Sequence, residues 1–508
     1  MERWAERDLR VRVIGTGVMG RGIAQLAAAG GLTVELADQR MDAIVAAVEH
    51  IGAMFDRLVA KGRMAAADAE AAKERLHPVG EPLTPLQDCD LIVEAVREDL
   101  ATKRELFAAL EKVAPEHTVL VTNTSSLSVT AIGAALADPS RLAGLHFFNP
   151  VPLMRLVEVI PGARTAGWLP GALSDLVRRL GHVPVLAPDT PGFLVNHAGR
   201  GLVTEALQIL SEGIAEPADV DRIARDVLGL KMGPFELMDL TGLDVSHPVL
   251  ESIWDGFYGE PRLRPSRITR ARTEAGLLGR KAGEGFYAYP GGTKEEPPER
   301  TAPEVTRPVW VHETEPGVRE RLHALLGDVE TGEAPSAEAV ILVVPHGRSA
   351  LDVALAEGLP SERVLGLDPF GDFFTRLTLA VHPGVDPEAG RAAWAALAAT
   401  GRPVTIVRDA PASVAQRLLA SVVNVGCGIA EQRLASPADI DTAVRLGLGY
   451  PRGPLEWGDH AGAGRVAEVL RGMLAATGDP RYRPSRWLAE RVALGLPLAE
   501  AGTSPSDL

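Results

Sequence analysis

One stretch of this chain occurs twice, without a gap. Asp189-Thr-Pro returns as Asp409-Ala-Pro, Pro-Ala-Asp219-Val-Asp as Pro-Ala-Asp439-Ile-Asp, and Gly233-Pro-Phe-Glu as Gly453-Pro-Leu-Glu, each pair 220 positions apart (189 to 409, 219 to 439, 233 to 453). An offset that holds over so many motifs marks one supersecondary block copied whole, and it excludes a fold built around a single undivided core. The repeat also reaches upstream. LAGLHFFNPVPLMRLVEVIPG, residues 142–162, matches VLGLDPFGDFFTRLTLAVHPG, residues 364–384, at an offset of 222.

The copied block reads as long helical stretches with few strand signals from position 189 to Tyr289, and is predicted to be an all-α domain. What precedes it is different. Residues 9–14 read as a strand, 15–20 as a glycine turn, 23–29 as a helix and 33–37 as a second strand, a βαβ unit that opens a parallel sheet. Residues 42–76 predict two helices with a break near Gly62, and β-branched runs at 91–96, 119–122, 142–147, 156–160 and 183–186 continue the sheet. The expected fold class is α/β plus all-α: a Rossmann-type NAD-binding domain over 1–188 and a helical domain over 189–289. A linker over 290–307, rich in Pro, Gly and charge, is expected to pack poorly. A degenerate Rossmann-like unit over 308–408, without a glycine fingerprint, and a second helical copy over 409–501 complete the order.

A net charge of −15 opposes non-specific binding of nucleic acid, whose phosphates are held by clustered Lys and Arg. Arg57, Lys61 and Arg63 form one local basic group, read either as a patch for a polyanionic small ligand or as a solvated helix face. No apolar run approaches the roughly 20 residues of a bilayer crossing, and residues 1–10 mix acids and bases where a signal peptide has an apolar core. Cys89 and Cys427 fall in different predicted units, so neither a disulfide nor a metal cluster is expected, and a reducing cytoplasm suits them.

Gly15-Thr-Gly17-Val18-Met19-Gly20 is a G-x-G-x-x-G placed between strand and helix. The glycines permit the tight turn, close approach of backbone to a pyrophosphate and close helix packing, while the helix N-terminus offers N–H groups to the anion. Asp38 follows Gly15 by 23 positions (15 to 38), at the end of the second strand, where a carboxylate accepts from adenine-ribose hydroxyls and repels a 2′-phosphate. NAD is therefore expected rather than NADP, with Arg40 as the one nearby charge that opposes this preference.

Asn123-Thr-Ser125-Ser126-Leu127, His146-Phe-Phe-Asn149-Pro150, Glu158 within Leu-Val-Glu-Val, Asp189-Thr-Pro-Gly-Phe-Leu-Val-Asn196 and Gly279-Arg-Lys281-Ala-Gly-Glu-Gly-Phe-Tyr287 together resemble the 3-hydroxyacyl-CoA dehydrogenase family. The resemblance spans residues 9–289, with the second helical copy matching more weakly. Oxidation of a secondary alcohol needs a base for the hydroxyl proton, and a histidine near its reference pKa of about 6.5 both accepts and releases one. His146 ends one predicted strand and Glu158 lies on the next, where pairing of the strands would let the carboxylate fix the imidazole tautomer and stabilise its cation.

The resemblance further implies that Ser125 and Asn196 contact the acyl end of an acyl-CoA substrate. It places Asn149, Glu98, Lys103 and Lys281 on the nicotinamide or ribose side, and Lys61 near the CoA phosphate. Read from the residues alone, Glu98 and Lys103 are an exposed charge pair at a helix start. The double helical domain looks most like bacterial 3-hydroxyadipyl-CoA or 3-hydroxybutyryl-CoA dehydrogenases associated with phenylacetate breakdown.

At aligned positions the second copy has Asp368 for His146, Gly371 for Asn149, Ala380 for Glu158 and Gln416 for Asn196, while Pro411, Gly453, Pro454 and Asp459 match Pro191, Gly233, Pro234 and Asp239. Turn and packing residues survive, so the second half is expected to be catalytically silent. Because the resemblance implies dimerisation through the helical domain, the second copy is expected to cover the first as an intrachain pseudo-dimer, with or without a further homodimer. A catalytically inactive NAD-binding homologue is the alternative expectation.

Overall fold

The structure, a computed structural model, describes residues 4–86, 88–312, 317–370 and 375–503. Gly371, aligned with Asn149, lies outside them.

The first elements are β1 (Arg10–Ile14), α1 (Val18–Ala29), β2 (Thr33–Ala37), α2 (Met41–Ala60), α3 (Ala66–Glu74), β3 (Leu76–Gly80), β4 (Leu91–Glu94) and α4 (Leu100–Val113). Then come β5 (Val119–Thr122), α5 (Val129–Gly133), β6 (Leu142–Phe147), β7 (Leu156–Pro161), α6 (Leu169–Arg179) and β8 (Val183–Leu186). A helical run follows: α7 (Val195–Ala198), α8 (Arg200–Ser211), α9 (Pro217–Asp226), α10 (Pro234–Thr241), α11 (Leu243–Gly256) and α12 (Arg267–Glu274). The second α/β stretch holds β9 (Val309–Val311), α13 (Val318–Leu326), β10 (Val340–Val343), α14 (Ala350–Glu357), β11 (Val364–Leu367), β12 (Leu377–Val381), α15 (Pro387–Ala398) and β13 (Val404–Arg408). It ends in α16 (Val414–Glu431), α17 (Pro437–Gly447), α18 (Pro454–Ala461), α19 (Ala463–Thr477) and α20 (Arg486–Leu494). Among the described residues no helix is long and apolar enough to cross a membrane.

By packing, the chain forms two compact units: one combines Met1–His197 with Leu434–Leu448, the other combines Ala198–Arg433 with Gly449–Leu508. In the first, eight strands lie in the order β3-β2-β1-β4-β5-β6-β7-β8, and only β6 and β7 run antiparallel. The strands at the centre are buried on both faces by helices, which is why β4 and β5 read as unbroken apolar runs rather than alternating ones. β3 is absent from the sequence expectation because Pro78 lies within it; the sheet tolerates that proline because β3 is an edge strand. α17, a helix of the second copy, belongs to this unit and packs on β7 and β8.

The other unit is built on the crossing of α8 with α16. A side chain at Gly201 would come within 2.8 Å of the Ser421 carbonyl and of Val422, so the small residue sets the closeness of the helices. Gly201 and Ser421 are themselves 220 positions apart, so each copy meets its own equivalent, as across a two-fold axis. At this crossing Arg417 is buried: its Nε donates to Glu205 Oε1 at 2.6 Å, Nη1 to Glu212 Oε2 at 2.6 Å and Nη2 to the Tyr482 hydroxyl at 2.8 Å. The second sheet, in the order β13-β12-β11-β10-β9, keeps the antiparallel pairing of β11 with β12 that mirrors β6 with β7.

Two expectations are corrected in this unit. The stretch over 290–307 packs rather than hanging loose. Glu296 bridges Arg225 at 2.9 Å and Lys294 at 2.6 Å, and Glu299 meets Arg376 at 2.6 Å. Burial raises the Glu296 pKa, but Lys294 and Arg225 outweigh it and hold the carboxyl down at about 2. Beyond a 3-10 turn at Pro290–Gly292 and a β-bridge at Glu295 it holds no longer element, and its carboxylates anchor it.

The second correction concerns the aligned positions. β6 pairs His146 with Glu158, whereas β11 pairs Gly366 with Ala380 and Leu367 with Leu379, which puts Thr378 opposite Asp368. Asp368 and Thr378 lie ten positions apart where His146 and Glu158 lie twelve, so the true equivalent of Glu158 is Thr378 (158 to 378, an offset of 220), and Ala380 answers to Ile160. The Pro-Gly that ends β7 and the one two residues past β12 match in letters and draw the alignment off register.

Candidate active site

At the carboxyl end of the parallel strands, β1 stops at Ile14 and the backbone turns through Gly15 at φ 95°. A side chain at Gly15 would lie 2.6 Å from the Ala95 carbonyl oxygen, and one at Gly20 would run into the Gly15 carbonyl at 1.8 Å. Gly17 has nothing within 4 Å of the place where a Cβ would sit, so the turn and the first N–H groups of α1 are open to an anion. Val18 is exposed beside this opening, while Met19 packs against the core. The resulting cleft holds about 880 Å³ and is lined by Gly15, Thr16, Gly17, Asp38, Val96 and Leu106 among others. That size and the open glycine face fit a dinucleotide.

Asp38 stands at the cleft. Its Oδ2 accepts from the Thr16 N–H at 2.9 Å and hydroxyl at 3.0 Å, and its Oδ1 from the Arg40 N–H at 3.2 Å. Burial raises its pKa, yet the Thr16 and Arg40 bonds and the Arg40 charge prevail and keep it below the usual carboxylate range. An ionised carboxylate in this position is able to accept from ribose hydroxyls and to repel a 2′-phosphate. Asp38→Ala should therefore weaken NAD binding by roughly tenfold or more, the loss of charge-assisted hydrogen bonds worth about 1.5–3 kcal/mol, and narrow the preference over NADP. Titration of both cofactors checks this; unchanged preference would assign the discrimination to another group.

The antiparallel register of β6 and β7 sets His146 opposite Glu158, and Nδ1 lies 2.6 Å from Glu158 Oε2. Glu158 is fully buried, and its other oxygen accepts the N–H groups of Leu194 and Val195, both at 2.9 Å. An ionised carboxylate only accepts, so beside one Nδ1 is the donor, and in the neutral ring Nε2 then keeps the lone pair. The ring is packed by Phe148, with centroids 4.4 Å apart, and by Phe193 at 5.9 Å. Such an imidazole can take a proton at Nε2 and share the resulting charge with Glu158.

Glu98 gathers the loop after β5. Its Oε1 accepts from the Thr124 hydroxyl at 2.7 Å, the Ser125 N–H at 2.8 Å, and the Ser126 N–H and hydroxyl at 3.0 and 2.9 Å. Burial raises its pKa, but these donors and Lys103 bring it below its ordinary value. Half of the exposed pair read from the residues is corrected: Glu98 is exposed, but Lys103 is 1% exposed and bridges Glu94 at 2.6 Å and Glu98 at 3.3 Å. Glu94, overlooked in the sequence, is buried at the end of β4, where its Oε2 also accepts the Thr122 hydroxyl at 2.6 Å. A carboxylate inside an apolar strand run was its visible signal.

Ser125 and Asn196 come together, with Asn196 Nδ2 donating to the Ser125 carbonyl at 3.4 Å. Asn149 is exposed just after β6, and Lys61, at the end of α2, is exposed with Arg57 and Arg63. Lys281 lies in the other compact unit, where it pairs with Asp244.

The second copy keeps the scaffold of this arrangement and replaces its groups. Asp189 accepts the N–H groups of Val129 and Thr130 at the start of α5, and Asp409 accepts those of Ala350 and Leu351 at the start of α14. Gln416 takes the place of Asn196 and ties to the Pro345 carbonyl and the Gly347 N–H. Asp368 replaces the imidazole and accepts from Phe370 and Ala415 N–H groups.

Comparison with known proteins agrees with this architecture. Residues 10–190 match the family described as 3-hydroxyacyl-CoA dehydrogenase, NAD binding domain, and residues 192–289 and again 414–504 match its C-terminal domain. The 3-hydroxyadipyl-CoA dehydrogenase of Escherichia coli K12 is 36% identical over 485 residues, 95% of this chain and 97% of that protein. Human mitochondrial hydroxyacyl-coenzyme A dehydrogenase is 40% identical over 285 residues, 55% of this chain and 90% of that one. The crystal structure of a 3-hydroxybutyryl-CoA dehydrogenase from Escherichia coli K12 superposes with a TM-score of 0.84 at 35% identity, covering 96% of this chain and 99% of that one.

Proposed function

The chain belongs to the 3-hydroxyacyl-CoA dehydrogenase family, and from that premise we propose that it is an NAD-dependent enzyme oxidising an L-3-hydroxyacyl-CoA to the 3-oxoacyl-CoA, with His146 as the base. The observation that carries this is the 2.6 Å contact of His146 Nδ1 with Glu158, whose second oxygen is fixed by two backbone N–H groups. NAD supplies the hydride acceptor for C3. His146 Nε2 takes the hydroxyl proton, and Glu158 stabilises the imidazolium without itself being protonated. Ser125 and Asn196 orient the acyl end, Glu98 holds the Ser125 loop in place, and Asn149, Lys103 and Lys281 belong to the nicotinamide side, Lys103 acting through Glu98. Lys61 serves the CoA phosphate.

A dicarboxylic or short acyl chain, 3-hydroxyadipyl-CoA or 3-hydroxybutyryl-CoA, is the substrate class in keeping with the named relatives, and a role in phenylacetate or fatty-acid breakdown in the cytoplasm follows from it. The domain divisions near 188, 289, 307 and 408 are retained as functional divisions. The second copy acts as a built-in partner, a reading supported by the self-matching contact of Gly201 with Ser421. The test is direct: mix the protein with NAD and 3-hydroxyacyl-CoAs of short, medium and dicarboxylic type and follow the absorbance of the reduced cofactor. Turnover is expected, greatest for one of the two named substrates. Silence across the series would leave an NAD-binding protein without this chemistry.

A further inference from the structure

Deepening the reading above, and resting on its assignment of His146 and Glu158, we propose that the second copy serves the reaction through Gly447, a positioning residue that seats α17 against the backbone turn holding Glu158. α17 is capped by Ser436, whose hydroxyl accepts the Asp439 N–H, and buries Ile440, Ala443 and Val444. Its last residue is Gly447, a poor choice for a helix on propensity alone. The position asks for it on packing grounds. A Cβ there would stand 2.9 Å from Leu156 Cδ2 and 2.9 and 3.0 Å from the two methyls of Val195.

Both neighbours lead to the same carboxylate. Leu156 is two residues before Glu158 on β7 and so on the same face of the strand, and Val195 gives Glu158 one of its two backbone N–H bonds. Both are buried, at 0% and 1% exposure, and the β-branched Val195 has little rotamer freedom with which to yield. In the first copy the equivalent residue is Val227 (227 to 447, an offset of 220), so the glycine is particular to the copy that has lost the chemistry. Any side chain at 447 pushes Val195, and with it the N–H that fixes Glu158, away from its place. The carboxylate then holds Nδ1–H less well, the imidazolium is less stabilised, and Nε2 becomes a weaker base.

The experiment is Gly447→Val in the full chain, with Gly447→Ala as the milder form and Gly447→Val/Val195→Ala to return the lost space. Expected for Gly447→Val is a fall in kcat of about tenfold or more with KM for NAD unchanged. The acid limb of the kcat/KM profile should also move to lower pH, since a base less supported by its carboxylate gives up its proton more easily. The double variant should recover both. A loss of activity that merely tracks the unfolded fraction, with the acid limb in place, overturns the inference, as does full kcat in a folded Gly447→Val. Should Gly447→Val fail to fold, the same two readings of Gly447→Ala decide. If the wild-type chain turns over and these variants do too, only the role of Gly447 falls; if the wild type does not turn over, the assignment of the reaction falls first.

Discussion

Replacing His146 by alanine is expected to lower kcat by about 10²–10⁴, some 3–5 kcal/mol of transition-state stabilisation, while NAD still binds. The size follows from the role proposed for the imidazole: without it the hydroxyl proton has no positioned base to take it. NAD affinity is expected to hold because the glycine turn and Asp38, which line the dinucleotide cleft, are untouched by the substitution. The fold should also survive, because Glu158 keeps the N–H groups of Leu194 and Val195 when the ring is gone. Steady-state formation of reduced cofactor and a separate NAD titration measure the two halves of the statement. Turnover within threefold of wild type would remove this histidine from the mechanism.

The second large effect is on stability and lies where α8 crosses α16. Arg417→Ala should cost about 3–5 kcal/mol, because breaking a buried ion pair leaves an uncompensated charge behind. Among the described residues Glu205, 2% exposed, would retain Arg481 at 3.8 Å and the Tyr482 hydroxyl at 3.2 Å. Glu212 is better placed to turn to water. If desolvation of the orphaned carboxylate is the cause, Arg417→Met combined with Glu205→Met should recover part of the loss, since an apolar pair strands no carboxylate, the remainder being the Tyr482 hydroxyl that loses both partners. Denaturant unfolding of the single and double variants reads this directly. A loss under 1 kcal/mol in Arg417→Ala would mean that water reaches the network.

Much of this architecture is legible in the residues because it is local or periodic. The glycine turn, the strand runs and the two-helix stretch with its break at Gly62 follow from backbone preference and apolar spacing, and each is present in the structure. The meeting of His146 with Glu158 was also within reach, since neighbouring strands bring two polar residues together wherever the register allows. The parts that escape depend on partners far away in the chain. Lys103 has the composition of a surface residue, and only the unseen Glu94 beside it makes burial tolerable. The stretch over 290–307 has the composition of a loose connection, but its carboxylates find Arg225, Lys294 and Arg376. The register of β12 was hidden by a Pro-Gly that matches in letters and not in space. The seating of α17 on β7 and β8 leaves no mark in sequence beyond one glycine at a helix end.

The crossing of α8 with α16 within one polypeptide has a consequence for how the protein responds to dilution. Two separate subunits part when their concentration falls below their dissociation constant. Covalently linked faces instead see each other at an effective concentration of the order of millimolar, however scarce the protein becomes. Stoichiometry within the pair is likewise fixed at one to one by the ribosome, so one member is free to diverge while the other keeps its partner. Specific activity should accordingly stay constant down to nanomolar enzyme.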